Sequence, residues 1–192
     1  WPPTCILPGM AQTEKLTDYV NPFVGTDGYG NVYPGAQIPF GGIQISPDTD
    51  SRFYDAASGY KYNHLTLMGF SLTHLSGTGI PDLGDFLFIP GTGEMKLEPG
   101  THEDPDQGYR SRYSHDKEWA SPNYYAVELA DYGVKAEMTS GVRSGMFRFT
   151  YPESDNAFIM IDMNHTLWQS CEWSNLRMIN DSTITGYKLV KG

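Results

Sequence analysis

Between Val134 and Tyr151 the chain alternates. In VKAEMTS, Val134, Ala136 and Met138 take turns with Lys135, Glu137 and Thr139; in MFRFTYP, Phe147, Phe149 and Tyr151 take turns with Met146, Arg148 and Thr150. A period of two sends successive side chains to opposite faces of a strand. These runs therefore predict neighbouring antiparallel strands with one wet face, with DYG and TSG as turns. Two apolar runs, DFLFIP (85–90) and AFIMIDM (157–163), predict strands hidden on both faces. GGIQISP reads as a short strand leaving a glycine pair, and 100–123 as a polar loop. The chain's 21 Gly and 13 Pro interrupt it too often for long helices, while 13 Tyr and nine Phe favour strands. Only Thr17–Tyr19 and the stretch Cys171–Met178 are expected to hold helical turns. The expected fold is all-β, an antiparallel β-sandwich.

A formal charge of −10 on 192 residues disfavours nucleic acid, whose phosphates require clustered Lys and Arg, and disfavours an anionic lipid surface. Neutral or cationic ligands, sugars and Ca²⁺ among them, suit such a surface. No stretch is long and apolar enough to span a bilayer. The start, WPPTCILPGMAQ, reads as the end of a signal peptide (residues 1–12), with Ala11 at the cleavage region. Cleavage would leave Cys171 alone, without a disulfide framework.

Several chemistries fail on spacing. Asp104 and Asp106 begin like an EF-hand loop, but Tyr109 stands where its glycine is required. The five His form no HxxxH pair and the cysteines are too few for zinc. GTGIPDLG lacks the Lys of a phosphate-binding loop, and no G-x-S-x-G elbow is present. Asn164 and Asn180 head formal glycosylation sequons.

What remains is a set of loops mixing small, hydroxyl-bearing and aromatic residues. GFSLTHLSGTGIPDLGD (69–85) offers His74, Ser76, Thr78 and Asp82 beside Gly77 and Gly79, glycines that let backbone approach a ligand closely. GTDGYGNVY and RFYDAASGYKY offer Tyr29, Tyr54 and Tyr60, rings able to stack on a sugar face. Spacing alone leaves open that His74 is a satisfied core residue, that Asp82 and Asp85 cap turns, and that the tyrosines are core.

The order of these segments settles more than any one of them. YVNPFVGTDGYGNVYPGAQIPFGGIQISPDT, SGYKY, GFSLTHLSGTGIPDLGD and YRSRYSHDKEWASPNYYAVEL, in that order, resemble the N-terminal domain of glycoside hydrolase family 92 from about Thr17 onward. The resemblance implies an exported, calcium-dependent, inverting exo-α-mannosidase acting on mannose-containing glycans, in the periplasm or at the surface of a Gram-negative bacterium. It implies a partial N-terminal sandwich over 13–192, its partner being the protein's own C-terminal helical domain. That domain would supply the catalytic acid and base and hold most of the Ca²⁺ shell, so no residue here is expected to be catalytic and this stretch alone is expected to be inactive. Substrate-binding positions carried over are Gly25, Thr26, Asp27, Gly28, Tyr54, Asp55, Ser58, Gly59, Tyr60, His74, Ser76 and Gly77. The family often has Trp where Tyr54 stands and Cys where Ala57 stands. The alternative is a carbohydrate-binding sandwich without catalysis, which further helical coding sequence with paired carboxylates would distinguish.

Overall fold

The computed structural model describes residues 14–52, 56–77 and 80–191. Twelve strands and no α-helix occur among them. They are β1 (Ser46–Asp48), β2 (Thr66–Leu67), β3 (Gly69–Ser71), β4 (Leu87–Thr92), β5 (Ser111–Arg112), β6 (Glu118–Ser121), β7 (Tyr124–Leu129), β8 (Val134–Ser140), β9 (Gly145–Thr150), β10 (Ala157–Asp162), β11 (Ser170–Asn180) and β12 (Thr183–Lys191). Two four-stranded sheets, ordered β1-β3-β4-β10 and β6-β7-β8-β9, form the body, and β2-β5 and β11-β12 pair separately. Every pairing is antiparallel.

The alternation at 134–151 becomes β8 and β9, in register from Lys135↔Thr150 to Ser140↔Gly145. Val127, Leu129, Val134, Ala136 and Met138 face inward and are almost fully buried. Phe147 and Phe149 meet Phe70 of β3, and Phe147 meets Phe88 of β4, with ring centroids 5.1–6.4 Å apart. Aromatic contacts thus join the two sheets. On the opposite face of β4, Leu87 and Ile89 pack with Met68, Tyr109 and Met160 in a second apolar cluster. The run at 85–90 is therefore covered on both sides, as its composition predicts.

Three expectations change. The run at 157–163 forms the edge strand β10, beyond which no further strand pairs among the described residues, and Ile159 is 53% exposed, its sheet face uncovered at that point. Cys171–Met178 is part of a long hairpin strand, not a helical turn: cross-strand pairs such as Trp173↔Leu189 and Met178↔Ile184 override a sequence whose apolar residues are irregularly spaced. The polar loop at 100–123 contains β5 and the start of the second sheet, β6. The expected turn at Thr17–Tyr19 lies within a 3₁₀ turn, Leu16–Tyr19.

Candidate functional site

Three motif loops converge. The Thr26 carbonyl accepts the Tyr62 amide at 2.9 Å, and the Asn31 carbonyl accepts the Gly77 amide at 2.5 Å. The Lys61 side chain is buried and its Nζ donates to the Gly30 carbonyl at 3.3 Å. Gly59 turns with φ +85°, and a Cβ there would lie 2.1 Å from Asp48 Oδ1, so no side chain fits.

Within this cluster the sequence-nominated residues fall into two groups. Gly25, Asp27, Gly28, Ser76 and Gly77 are exposed, and the Asp27 carboxylate caps its own turn by accepting the Gly28 amide at 2.7 Å. Thr26, Ser58, Gly59, Tyr60 and His74 are buried. The Tyr60 hydroxyl donates to Glu118 at 2.9 Å, and the ring belongs to the main core. Buried groups of this kind shape a site from behind. Tyr54 and Asp55 lie outside the described residues.

The buried group is organised by carboxylates. Asp48, at the end of β1, is wholly buried between two imidazoles, His74 Nε2 and His165 Nε2, each 2.8 Å from one of its oxygens. Burial pushes the Asp48 carboxyl up, but the charge of His74 and hydrogen bonds from both imidazoles outweigh it and hold it far below the usual carboxylate range. His74 Nδ1 lies 2.7 Å from the Gln44 carbonyl. Two residues on, buried Asp50 accepts the Arg52 amide at 2.8 Å and sits 3.2 Å from His102. Across the sandwich, Glu118 accepts from Tyr60 and Tyr125 hydroxyls and lies 2.5 Å from His115 Nδ1.

His165 also lines a cleft of about 590 Å³ on the face of the first sheet turned away from the second. Its floor is Met68 and Tyr109, and its walls include Arg52, Asp162, Asn164 and His165, with Trp168 at the mouth. The Tyr109 hydroxyl donates to Asp162 Oδ2 at 2.9 Å, and Asp162 Oδ1 accepts the amides of Asn164 and His165. Trp168 is 59% exposed and holds φ +71°, a left-handed conformation costly for a bulky residue. Two backbone bonds strap it there, Leu167 to the Leu83 carbonyl and Trp168 to the Ser51 carbonyl. An exposed indole above mixed donors and acceptors suits a hydroxyl-rich ligand.

Asp48 joins the two features: one oxygen holds the motif loops and the other holds the cleft wall. The sequence reading missed Arg52, Asp162, His165 and Trp168, and saw Asn164 only as a sequon. The available signal was a polar and aromatic stretch, DMNHTLWQS, following an apolar strand without a turn glycine. Among the described residues, no three or more His, Cys, Asp or Glu gather to hold a metal. Asp48 and Glu118 are held by His and Tyr donors and Asp50 Oδ1 by Arg52, so these residues do not form the oxygen-rich shell that Ca²⁺ needs.

An antiparallel sandwich presenting polar loops and an aromatic-lipped cleft has the architecture of a sugar-handling domain. The family model for the glycosyl hydrolase family 92 N-terminal domain matches residues 19–192, and the chain belongs to that family. A glycosyl hydrolase of the same family, ccman5, superposes with a TM-score of 0.72 at 29% identity, over 92% of this chain and 24% of its own. The family's inverting mannosidase BT2199 from Bacteroides thetaiotaomicron VPI-5482 superposes with a TM-score of 0.64 at 28% identity, over 78% of this chain and 20% of its own. An uncharacterized secreted glycosidase of Arthroderma benhamiae is 30% identical over 139 residues, 71% of this chain and 17% of that protein. The chain thus spans about a quarter or less of each of these relatives.

Proposed function

We propose that this chain forms the sugar-facing part of an inverting, calcium-dependent exo-α-mannosidase that removes terminal mannose from glycans. The observation that carries the reading is the junction at Asp48, where the family's motif loops and the Trp168 cleft share one buried carboxylate. Inversion requires two carboxyl groups roughly 6.5–9.5 Å apart with water between them. Asp162, the cleft's own wall acid, is committed to Tyr109 and two backbone amides, which suits positioning rather than proton transfer. The acid, the base and most of the calcium shell are assigned to a helical domain outside these residues. Export belongs to the same proposal, supported by the signal-like start and by the relative named as secreted; its destination, the periplasm or cell surface of a Gram-negative bacterium, rests on the family resemblance alone.

The test uses the full-length protein with an aryl α-mannoside, calcium and a chelator. Turnover that releases β-mannose first, stops on chelation and returns with calcium supports the proposal. Saccharide binding without turnover would make the protein a binding module instead, and chelator-resistant turnover would remove calcium from the reading.

A further inference from the structure

The second sheet has an outer face that none of the foregoing uses. Register places Trp119 of β6 opposite Ala126 of β7, with Glu137 of β8 and Arg148 of β9 in line beyond. All four side chains therefore point away from the sandwich core. Trp119 is 64% exposed, while Ala126, one strand inward, is only 6% exposed and contributes no bulk. Beside them lies a cleft of about 480 Å³, whose lining includes Trp119, Tyr124, Ala126, Lys117, Glu128 and Lys135. That volume falls in the range of roughly 300–1,000 Å³ typical of small-ligand sites.

Most of the polar groups around this cleft are paired. Tyr124 donates its hydroxyl to Glu137 at 2.7 Å, across the strand pair from its own. Arg148 donates to the same carboxylate through Nε at 2.7 Å and Nη2 at 2.6 Å. Those bonds from Arg148, with that of Tyr124, bring the Glu137 carboxyl down to about 2. Lys117 lies 2.5 Å from Glu128. Three cations (Lys117, Lys135, Arg148) thus stand with three outward-facing carboxylates (Asp116, Glu128, Glu137), while Glu118, the fourth acid of the lining, turns its carboxylate inward to Tyr60 and Tyr125; the outward-facing charge balances on a chain of net −10. A face so compensated has no excess charge to offer an ionic partner. Its exposed indole, with the Tyr124, Glu137 and Arg148 donors and acceptors beside it, complements an uncharged ligand with an apolar face and hydroxyl edges.

We infer that the Trp119–Ala126 face is a second saccharide site, separate from the Trp168 cleft, that binds a neutral oligosaccharide without taking part in bond cleavage. The choice of mannan as probe rests on the proposed function; the site does not.

The test is affinity electrophoresis of the full-length protein in gels containing neutral yeast α-mannan, with aryl α-mannoside turnover and thermal melting on the same preparations. Two variants are compared, Trp119→Ala, which removes the platform, and Ala126→Gln, which adds bulk beside it and keeps the indole. The expected result is retardation of the wild type that weakens at least tenfold in both variants, with small-substrate kcat and melting temperature unchanged. Trp119→Phe should recover part of it. Retardation equal to wild type in both variants, or a wild type that mannan does not retard, overturns the inference. So does a shift of either variant to a smaller oligomer in light scattering, which would make the face a contact between copies. Absence of aryl-mannoside turnover in the wild type would count against the proposed function alone, because this face is read by the loss of retardation in the two variants, whichever way turnover comes out.

Discussion

The two large sheets solve the same packing problem with different materials. β7, β8 and β9 bury alternate apolar side chains in unbroken register, and their inner face is aliphatic and aromatic. In the sheet β1-β3-β4-β10, β1 and β3 are only three residues long, and behind its loops it buries Asp48, Asp50, His74 and Arg110. Burial lowers the Arg110 guanidinium to about 10, even with Asp50 beside it. Apolar burial is non-directional and tolerates small shifts, whereas buried charge is stable only when each partner stands in place. The inner face of β7, β8 and β9 therefore serves as support, and the polar sheet holds loops in single positions where a ligand can use them.

The strongest test of that contrast is Asp48→Asn. Breaking a buried charge pair costs about 3–5 kcal/mol, a large share of the roughly 5–15 kcal/mol that stabilises a typical domain. Chemical denaturation of the full-length protein should show that loss. The pH dependence follows from the depressed carboxyl: the unfolded chain takes up its proton first, near the ordinary Asp value of about 3.9. The stabilisation is thus complete above that value and drains away as pH falls toward the folded one. The variant should show a flatter loss of stability below about pH 4; an unchanged acid limb would mean that Asp48 is not what acid disrupts.

In the regular sheet, Leu129→Ala should cost about 2–5 kcal/mol by cavity formation. It should do so equally at pH 5 and pH 8, with kcat/KM of the folded fraction unchanged. A pH-dependent loss would blur the distinction between the sheets.

Trp168→Gly separates stability from function. Relief of the positive φ should leave stability unchanged or raise it by about 1 kcal/mol. Loss of the indole should lower kcat/KM on an oligosaccharide roughly ten- to a hundredfold, the equivalent of about 1–3 kcal/mol of lost contact. Equal activity would remove Trp168 from the site. The smallest effect is expected at Lys117→Ala, where an exposed pair with Glu128 should contribute no more than about 1 kcal/mol, screened further by salt.

The regular sheet was the legible one. Val134, Ala136 and Met138 announce a strand because their neighbours determine their burial, and a period of two is visible locally. The β11–β12 hairpin was not legible: Trp173, Leu176 and Met178 follow no single period, and the connection at Asn180–Thr183 lacks a turn glycine. The motif loops could be nominated from the family pattern, yet their division into exposed Asp27 and Ser76 and buried Thr26 and His74 depends on contacts that distant segments supply. The cleft was invisible for the same reason. Nothing near His165 in sequence indicates that it meets a carboxylate 117 positions earlier.

That separation also sets a timetable. A ribosome adding about 5–20 residues per second delivers His165 roughly 6–23 s after Asp48. His74 arrives early, so the motif loops can gather on one side of the carboxylate while its other oxygen still faces water. The cleft wall closes only when the last third of this chain has emerged, and any factor that shelters nascent chains has that interval in which to act.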